Sequence, residues 1–347
     1  MGKKLVDPNK LCLGCMRELN KVARFCPYCG FSKDTYSQPK NSLPLYEILN
    51  GKYLVGKVIG MGGFGITYMG WDFYQSKKVC IKEYFPRQIA TRNTGSGGSY
   101  SEQLSVSVHY TTNESTHHTA ETTSKEQQAY TKGLNAYIKE AENLSKFYLM
   151  PGIVSVRDFF YGNNTAYIVM EFIDGIDLKK YAKMKGGKLM PDEVFALLKD
   201  VLKTLNEVHK KNIIHRDISP DNIMLDKKMR AKLIDFGAAK DYEHNEKLPV
   251  QLKRGYAPIE QYSRMGNQGP WSDVYSMCAS IYYLLSGIRI PDAKERQKED
   301  TVMLLQAVGV PIEEEKDLAI KKGLAIEIKD RYKSIAELYK QLYGEDI

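Results

Sequence analysis

The chain has 347 residues, 43% hydrophobic and 27% charged, a globular balance that excludes wholesale disorder and fibrous repeats. Its longest apolar run, residues 274–288, is broken by Ser276, Ser280, Ser286 and Gly287 and falls short of the roughly 18–20 residues that cross a bilayer, so no membrane span is expected. Lys3 and Lys4 precede no apolar core, which argues against a secretory signal, and the net charge of +8 points first to nucleic acid or an acidic membrane surface.

Four of the six cysteines, Cys12, Cys15, Cys26 and Cys29, form two C-x2-C pairs ten residues apart. Each pair closes a tight turn on one metal, and together they offer four thiolates in a tetrahedron. Gly30 suits the turn after the second pair because glycine tolerates positive φ. Two disulfides are the competing reading, but a cytoplasmic chain keeps its thiols reduced. Four thiolates leave no open position, so a structural Zn²⁺ is expected, folding residues 1–32 where so short a segment cannot bury a core. Residues 33–50, polar and carrying Pro39 and Pro44, are expected to form a linker.

From Gly51 the pattern changes. Residues 53–58, 67–72 and 79–83 predict successive strands, and 154–160 and 165–171 a strand pair turning at Gly162-Asn163-Asn164. Residues 91–124 hold 15 Ser and Thr among 34, with four charges, and predict a flexible insertion. After Pro191, Val194, Leu197, Leu198, Val201, Leu202, Leu205 and Val208 repeat at three and four, the signature of a long amphipathic helix. Strands first and helices after predict an α+β fold in two parts.

Chemistry-bearing residues fall into this frame in order. Gly60, Gly62, Gly63 and Gly65 sit between two predicted strands, which argues against the strand-loop-helix of a dinucleotide fold; glycines there let backbone amides approach phosphate oxygens. Lys82, seventeen residues after Gly65, follows an apolar strand and can reach α- and β-phosphates. In Ile214-His215-Arg216-Asp217-Ile218-Ser219-Pro220-Asp221-Asn222, a carboxylate that can orient a hydroxyl lies five residues from an amide that can ligate a metal. Asp235-Phe236-Gly237 ends the next strand, and its carboxylate can hold Mg²⁺ across nucleotide phosphates.

In these residues the chain resembles a bacterial eukaryotic-like (Hanks-type) serine/threonine protein kinase with an N-terminal zinc ribbon. The bacterial markers are the runs Gly62 to Tyr68 and Ile81 to Pro86. The resemblance implies a bilobal protein-kinase fold over residues 51–345, with a β-rich N-lobe carrying insertion 91–124, a helical C-lobe and the small zinc ribbon ahead of them. It implies ATP and Mg²⁺ as cofactors and protein substrates. It implies catalytic roles for Asp217, Lys82, Asn222 and Asp235, and for Glu140 as the partner of Lys82 on a helix within 129–147, with Glu142 as the alternative. Nucleotide contacts are implied for Thr67, Cys80, the gatekeeper Met170, the hinge Glu171 and Ile173, and Asp177 at the ribose. Asp273 would brace the catalytic loop, Arg216 would meet the activation segment, and Glu260 would pair with Arg331.

Two departures stand out. Ser219 occupies the place of the usual lysine two residues after the catalytic aspartate, and Leu252-Lys253-Arg254-Gly255-Tyr256 lacks the usual threonine. Either Lys253 or Arg254 could supply the missing charge; losing one such contact slows transfer by about 10²–10³-fold without abolishing it. Residues 238–259 contain no Ser or Thr, with Tyr242 and Tyr256 the only hydroxyls, so a modification switch is better sought in the insertion. The function expected is Mg-ATP-dependent phosphorylation of protein hydroxyls, with autophosphorylation; the alternative is a nucleotide-binding pseudokinase scaffold that recruits partners through the ribbon. Residues 1–44 carry eight basic against three acidic side chains, and four zinc-bound thiolates would cut the ribbon's +5 to +3. That modest excess favours a protein-docking ribbon over a nucleic-acid one. Nothing in the sequence sets an oligomeric state.

Overall fold

In the computed structural model, residues 7–19, 24–92, 100–108, 120–236, 240–241 and 252–347 are described. Gly237, Tyr242 and much of the 91–124 tract lie outside them. The chain divides into two compact units, Met1–Tyr148 with Ser155–Phe172, and Leu149–Val154 with Ile173–Ile347.

The first unit is built on strands β1 (Ile48–Leu49), β2 (Tyr53–Met61), β3 (Gly65–Asp72) and β4 (Lys77–Tyr84). Then come β5 (Ala90–Arg92), helix α1 (Tyr100–Leu104), β6 (Val106–Val108), helix α2 (Ala120–Ser145), β7 (Val156–Gly162) and β8 (Thr165–Glu171). Six strands form one antiparallel sheet in the order β1-β2-β3-β4-β8-β7. The predicted strand pair is a hairpin closing at Gly162 and Thr165, with Asn163 and Asn164 at φ 52° and 55°, the left-handed pair of a type I′ turn.

Two segments differ from their compositional reading. The polar tract 33–50 is fastened to the sheet: the Val58 amide donates to the Tyr36 hydroxyl at 3.1 Å, and the amide of fully buried Leu43 donates to the Tyr68 hydroxyl at 3.0 Å. Residues 91–92 and 106–108 of the Ser/Thr-rich tract are likewise fastened. β5 pairs with β6, and Arg92 is buried beside Glu83 as an ion pair with no exposed side chain on either member. The Tyr68 and Tyr167 hydroxyls donate to the same carboxylate at 2.7 and 3.0 Å, and Arg92 Nε donates to the Leu104 carbonyl at 2.7 Å. One buried guanidinium with satisfied donors anchors chain that its hydroxyl content alone would leave in solvent.

The second unit contains β9 (Gly175–Asp177), α3 (Leu178–Met184), α4 (Pro191–His209), β10 (Ile213–Ile214), β11 (Ile223–Asp226), β12 (Ala231–Leu233) and β13 (Lys240–Asp241). It continues through α5 (Pro270–Ser286), α6 (Ala293–Lys298), α7 (Glu314–Gly323) and α8 (Ile335–Tyr343). Helix α4 begins with Pro191 in its first turn, beside Asp192 and Glu193, and ends at His209, as the helix dipole favours. All seven periodic apolar positions predicted for it are buried. Glu260 and Arg331 meet as expected: Nη1 lies 2.8 Å from Oε1, Nη2 lies 3.1 Å from Oε2, and the Ser272 hydroxyl donates to Oε1 at 2.7 Å. Among the described residues no helix is long and apolar enough to cross a membrane.

Candidate active site and metal centre

In the first unit the glycine segment runs from the end of β2 (Gly60) through the turn at Gly62 and Gly63 to the first residue of β3 (Gly65). The Gly62 amide donates to the Gly65 carbonyl at 2.9 Å, and the Phe85 and Arg87 amides tie down the Phe64 and Gly63 carbonyls. Gly65 has no substitute, because a Cβ there would lie 2.6 Å from the Glu83 carbonyl oxygen. Across the sheet Thr67 is the register partner of Lys82, Cys80 faces Met170, and Val79 faces Glu171. Thr67, Cys80, Met170 and Glu171 thus lie on the adjoining strands β3, β4 and β8, whereas Ile173 lies beyond the end of β8. Helix α2 docks at the lysine: the Tyr137 hydroxyl donates to the Lys82 carbonyl at 3.0 Å. Glu140 lies three residues further along that helix and is half-buried, whereas Glu142 is exposed.

In the second unit buried Asp273, on α5, organises the loop 215–222. Its carboxylate accepts the His215 amide at 2.7 Å and the Arg216 amide at 2.9 Å, and meets His209 Nε2 at 2.8 Å. Burial pushes the Asp273 pKa up, but the His209 contact and the other donors outweigh it and hold the group below its ordinary range. The Asp217 amide donates to His215 Nδ1 at 3.2 Å, so Nε2 carries the imidazole proton and donates to the Ile234 carbonyl at 3.1 Å. Burial lowers the His215 pKa, which keeps the ring neutral in that tautomer. Asn222 Nδ2 donates to both the carbonyl and Oδ2 of Asp217, each at 2.8 Å. With Nδ2 so committed, Oδ1 is the Asn222 atom that could accept a cation. Asp217 is shifted upward, first by burial and then by nearby Asp235, against the lowering influence of Lys253, His215 and Asn222. Arg216 and Asp235 hold φ of 69° and 61°, left-handed positions that cost a non-glycine residue about 1–3 kcal/mol. Asp177 caps α3, accepting the Lys180 amide at 2.8 Å, a structural task beyond the ribose contact the resemblance implies.

Several supports have no motif to announce them. His209 is one, at the end of α4. Gln268 is another, its Oε1 accepting Arg216 Nε at 2.8 Å, as is Gln261, whose amide donates to the Arg216 carbonyl at 2.9 Å. Their only sequence signal is a polar residue at a buried position.

The four N-terminal cysteines are free thiols whose sulfurs all lie within 4.8 Å of one another, an arrangement that could hold a metal ion. Cys12 and Cys29 are 3.6 Å apart, and Cys15 and Cys26 are 3.9 Å apart. Gly30 has φ 70°, the left-handed turn its residue type suits. The knuckle packs on its own unit: Leu11, Leu13 and Met16 share one apolar cluster with Leu54 and Met69 of the sheet, flanked by Trp71 and Phe172. The Lys57 amide of β2 donates to the Leu13 carbonyl at 2.9 Å.

A glycine turn, a strand lysine docked on a helix, and a braced Asp-x4-Asn loop followed by Asp235 are the parts of a protein kinase. The protein kinase domain family matches residues 96–342, and the chain belongs to that family. It is 30% identical over 331 residues to serine/threonine-protein kinase F of Synechocystis, covering 92% of this chain and 58% of that one. It is 26% identical over 262 residues to serine/threonine-protein kinase PrkC of Bacillus subtilis, covering 75% of this chain and 34% of that one. The chain therefore spans little more than half the length of the first relative and a third of the second. The solved structure described as PpkA-294 apo form superposes with a TM-score of 0.70 at 30% identity, covering 87% of this chain and 99% of its own.

Proposed function

We propose that this chain is an active Mg-ATP-dependent protein serine/threonine kinase. The carrying observation is the Asp217–Asn222 pairing, which fixes a carboxylate for the acceptor hydroxyl and commits the Asn222 amide nitrogen, so that its carbonyl oxygen is the atom to ligate a cation. Lys82 pairs with Glu140 and holds the α- and β-phosphates, and the glycine turn offers its amides to the phosphate oxygens. Asn222 and Asp235 hold Mg²⁺, which when bound neutralises charge on the phosphates. Asp217 orients the acceptor hydroxyl and receives its proton as the new bond to the γ-phosphorus forms. Met170, Glu171, Ile173, Thr67 and Cys80 receive the adenine, and Asp177 the ribose. Relatives that are serine/threonine kinases, together with an intact Lys82, Asp217, Asn222 and Asp235, favour the enzyme over the scaffold reading.

The cysteine knuckle takes zinc on this reading. Tetrahedral bonds of about 2.3 Å put sulfurs about 3.8 Å apart, matching the two close pairs. The metal closes residues 1–32 and has no catalytic task. Reduced thiols fit a cytoplasmic setting, and the exposed side of the ribbon is left to dock a protein partner. The decisive experiment incubates the full chain and its Asp217→Asn variant with Mg²⁺ and radiolabelled ATP, alone and with a generic basic protein substrate. Label in Ser or Thr that the variant loses supports the reading; equal labelling, or none, refutes it. Phosphosite mapping of the same wild-type sample tests whether residues 91–124 are the autophosphorylated tract.

A further inference from the structure

The catalytic loop carries Ser219 where kinases of this type carry lysine, and the geometry assigns a substitute. We propose that Lys253, from the segment before Glu260, is the cation that contacts the transferring γ-phosphoryl group. Its Nζ donates to Ser219 Oγ at 2.6 Å, so the ammonium stands on the very side chain that replaced the lysine. It lies 3.3 Å from Asp221 Oδ2, and among the charges near Asp217 it contributes the largest lowering influence. The loop and segment have exchanged residue types. A hydroxyl stands in the loop and an ammonium in the segment, and the hydrogen bond between them is kept.

The other candidate cation, Arg254, turns away: its side chain is 85% exposed and 3.9 Å from Asp292. The backbone sets this choice. The Tyr256 and Ala257 amides both donate to the Lys253 carbonyl at 2.9 Å, and Ser276 of α5 donates to the Tyr256 carbonyl at 2.9 Å. Gly255, at φ 80°, has no room for a side chain, since a Cβ would lie 2.7 Å from Arg289 and 2.8 Å from the Ile290 carbonyl. The turn therefore aims residue 253 inward and residue 254 outward. Ser219 is fully buried and cannot itself carry charge, but it accepts one of the three ammonium protons; Asp221 faces a second, and the third is left for a phosphoryl oxygen.

In the step so assisted, the acceptor oxygen bonds to the γ-phosphorus while the bond from that phosphorus to the β–γ bridging oxygen breaks. The hydroxyl proton passes to Asp217, ADP leaves, and Lys253 neutralises the equatorial oxygens without giving up a proton. One consequence is that the charge reaches the loop from the turn at residues 253–257, whose backbone hydrogen bonds hold Lys253 against Ser219.

This inference rests on the kinase reading, and two experiments separate their failures. In the full chain Lys253→Met should lower kcat by about 10²–10³-fold with KM for ATP changed less than threefold, whereas Arg254→Met should stay within twofold of wild type. The exchanged double variant Ser219→Lys/Lys253→Thr should recover at least tenfold over Lys253→Met. A kcat within threefold of wild type in Lys253→Met, or no recovery in an exchanged variant that still binds ADP, overturns the proposal. The second experiment needs no turnover. ATP carrying an acyl group on its γ-phosphate acylates amines beside that phosphate, releasing ATP, and the modified lysines are read by mass spectrometry. Lys253 should be acylated in competition with ATP. Acylation of Lys82 without Lys253 overturns the proposal. If wild type transfers no phosphate yet Lys253 is acylated, the kinase reading fails and the placement of Lys253 stands.

Discussion

Replacing Arg92 by methionine tests whether the sheet is tied together by its buried ion pair. The Glu83 and Arg92 side chains are both fully buried, and Arg92 stays ionised because the charge and hydrogen bonds of Glu83 outweigh the burial that would lower its pKa. Arg92→Met leaves a buried carboxylate with only the Tyr68 and Tyr167 hydroxyls as donors, and strips a donor from the Leu104 carbonyl. Removing one partner of a buried pair costs about 3–5 kcal/mol. The two tyrosine bonds to the carboxylate survive, which places the loss at the lower end, about 3 kcal/mol. Urea unfolding reads it in a Trp271→Phe background, where Trp71 in β3 is the remaining tryptophan and reports the first unit. The double variant Glu83→Gln/Arg92→Met removes the stranded charge and should recover at least half of the loss. A single variant within about 1 kcal/mol of its parent, or a double variant as unstable as the single, refutes the reasoning.

Three further outcomes follow from the geometry. Arg331→Met strands the buried Glu260 carboxylate in the same way and should cost about 3 kcal/mol in the second unit, read by urea unfolding through Trp271 fluorescence in a Trp71→Phe background; a loss under 1 kcal/mol counts against the pair. Chelation of purified chain should release one zinc per chain and shift Trp71 emission to the red, since that indole packs on the knuckle; no zinc by elemental analysis of untreated protein sinks the metal assignment. For pH, burial first raises the Asp217 pKa, so the ionised form is lost as pH falls through a value above the ordinary ~3.9, and kcat should show its acid limb there. Lys253 lowers that pKa, so Lys253→Met should move the limb to higher pH; an unmoved limb refutes the coupling.

The sequence makes legible whatever local chemistry or periodicity dictates. Helix α4 follows from one apolar stripe behind Pro191, and the β7–β8 hairpin from two asparagines that tolerate positive φ. The order of the glycine turn, Lys82, Asp217, Asn222 and Asp235 is legible because phosphoryl chemistry needs those residue types at those spacings. Choosing between Lys253 and Arg254 needs more. Neighbouring residues of one turn differ only in side-chain direction, and that direction is set by Gly255 and Ser276, whose partners lie far along the chain. The ion pair of Glu83 and Arg92 is hidden for a similar reason. Composition reports the solubility of the tract after β4, whereas order there depends on one guanidinium finding a carboxylate nine residues back and two hydroxyls on other strands.

The knuckle shows how a sound local argument can stop short. Four cysteines and too few residues for a core imply that a metal must fold the segment, and the sulfur spacing agrees. Yet Leu11, Leu13 and Met16, set among those cysteines, are nearly fully buried, and an isolated ribbon of this size has nothing to bury them against. They require a second surface, and the sheet supplies it at Gly56 of β2, where a Cβ would lie 2.4 Å from both the Leu13 carbonyl oxygen and the Met16 methyl. A glycine that reads from sequence as a weak point in a strand is thus the seat of the knuckle. Gly56→Val should therefore lift the ribbon off the sheet while the four thiols still bind zinc. Increased exposure of Trp71 at unchanged zinc stoichiometry is the expected signature, and loss of zinc together with that exposure would show instead that ribbon and sheet fold only as one piece.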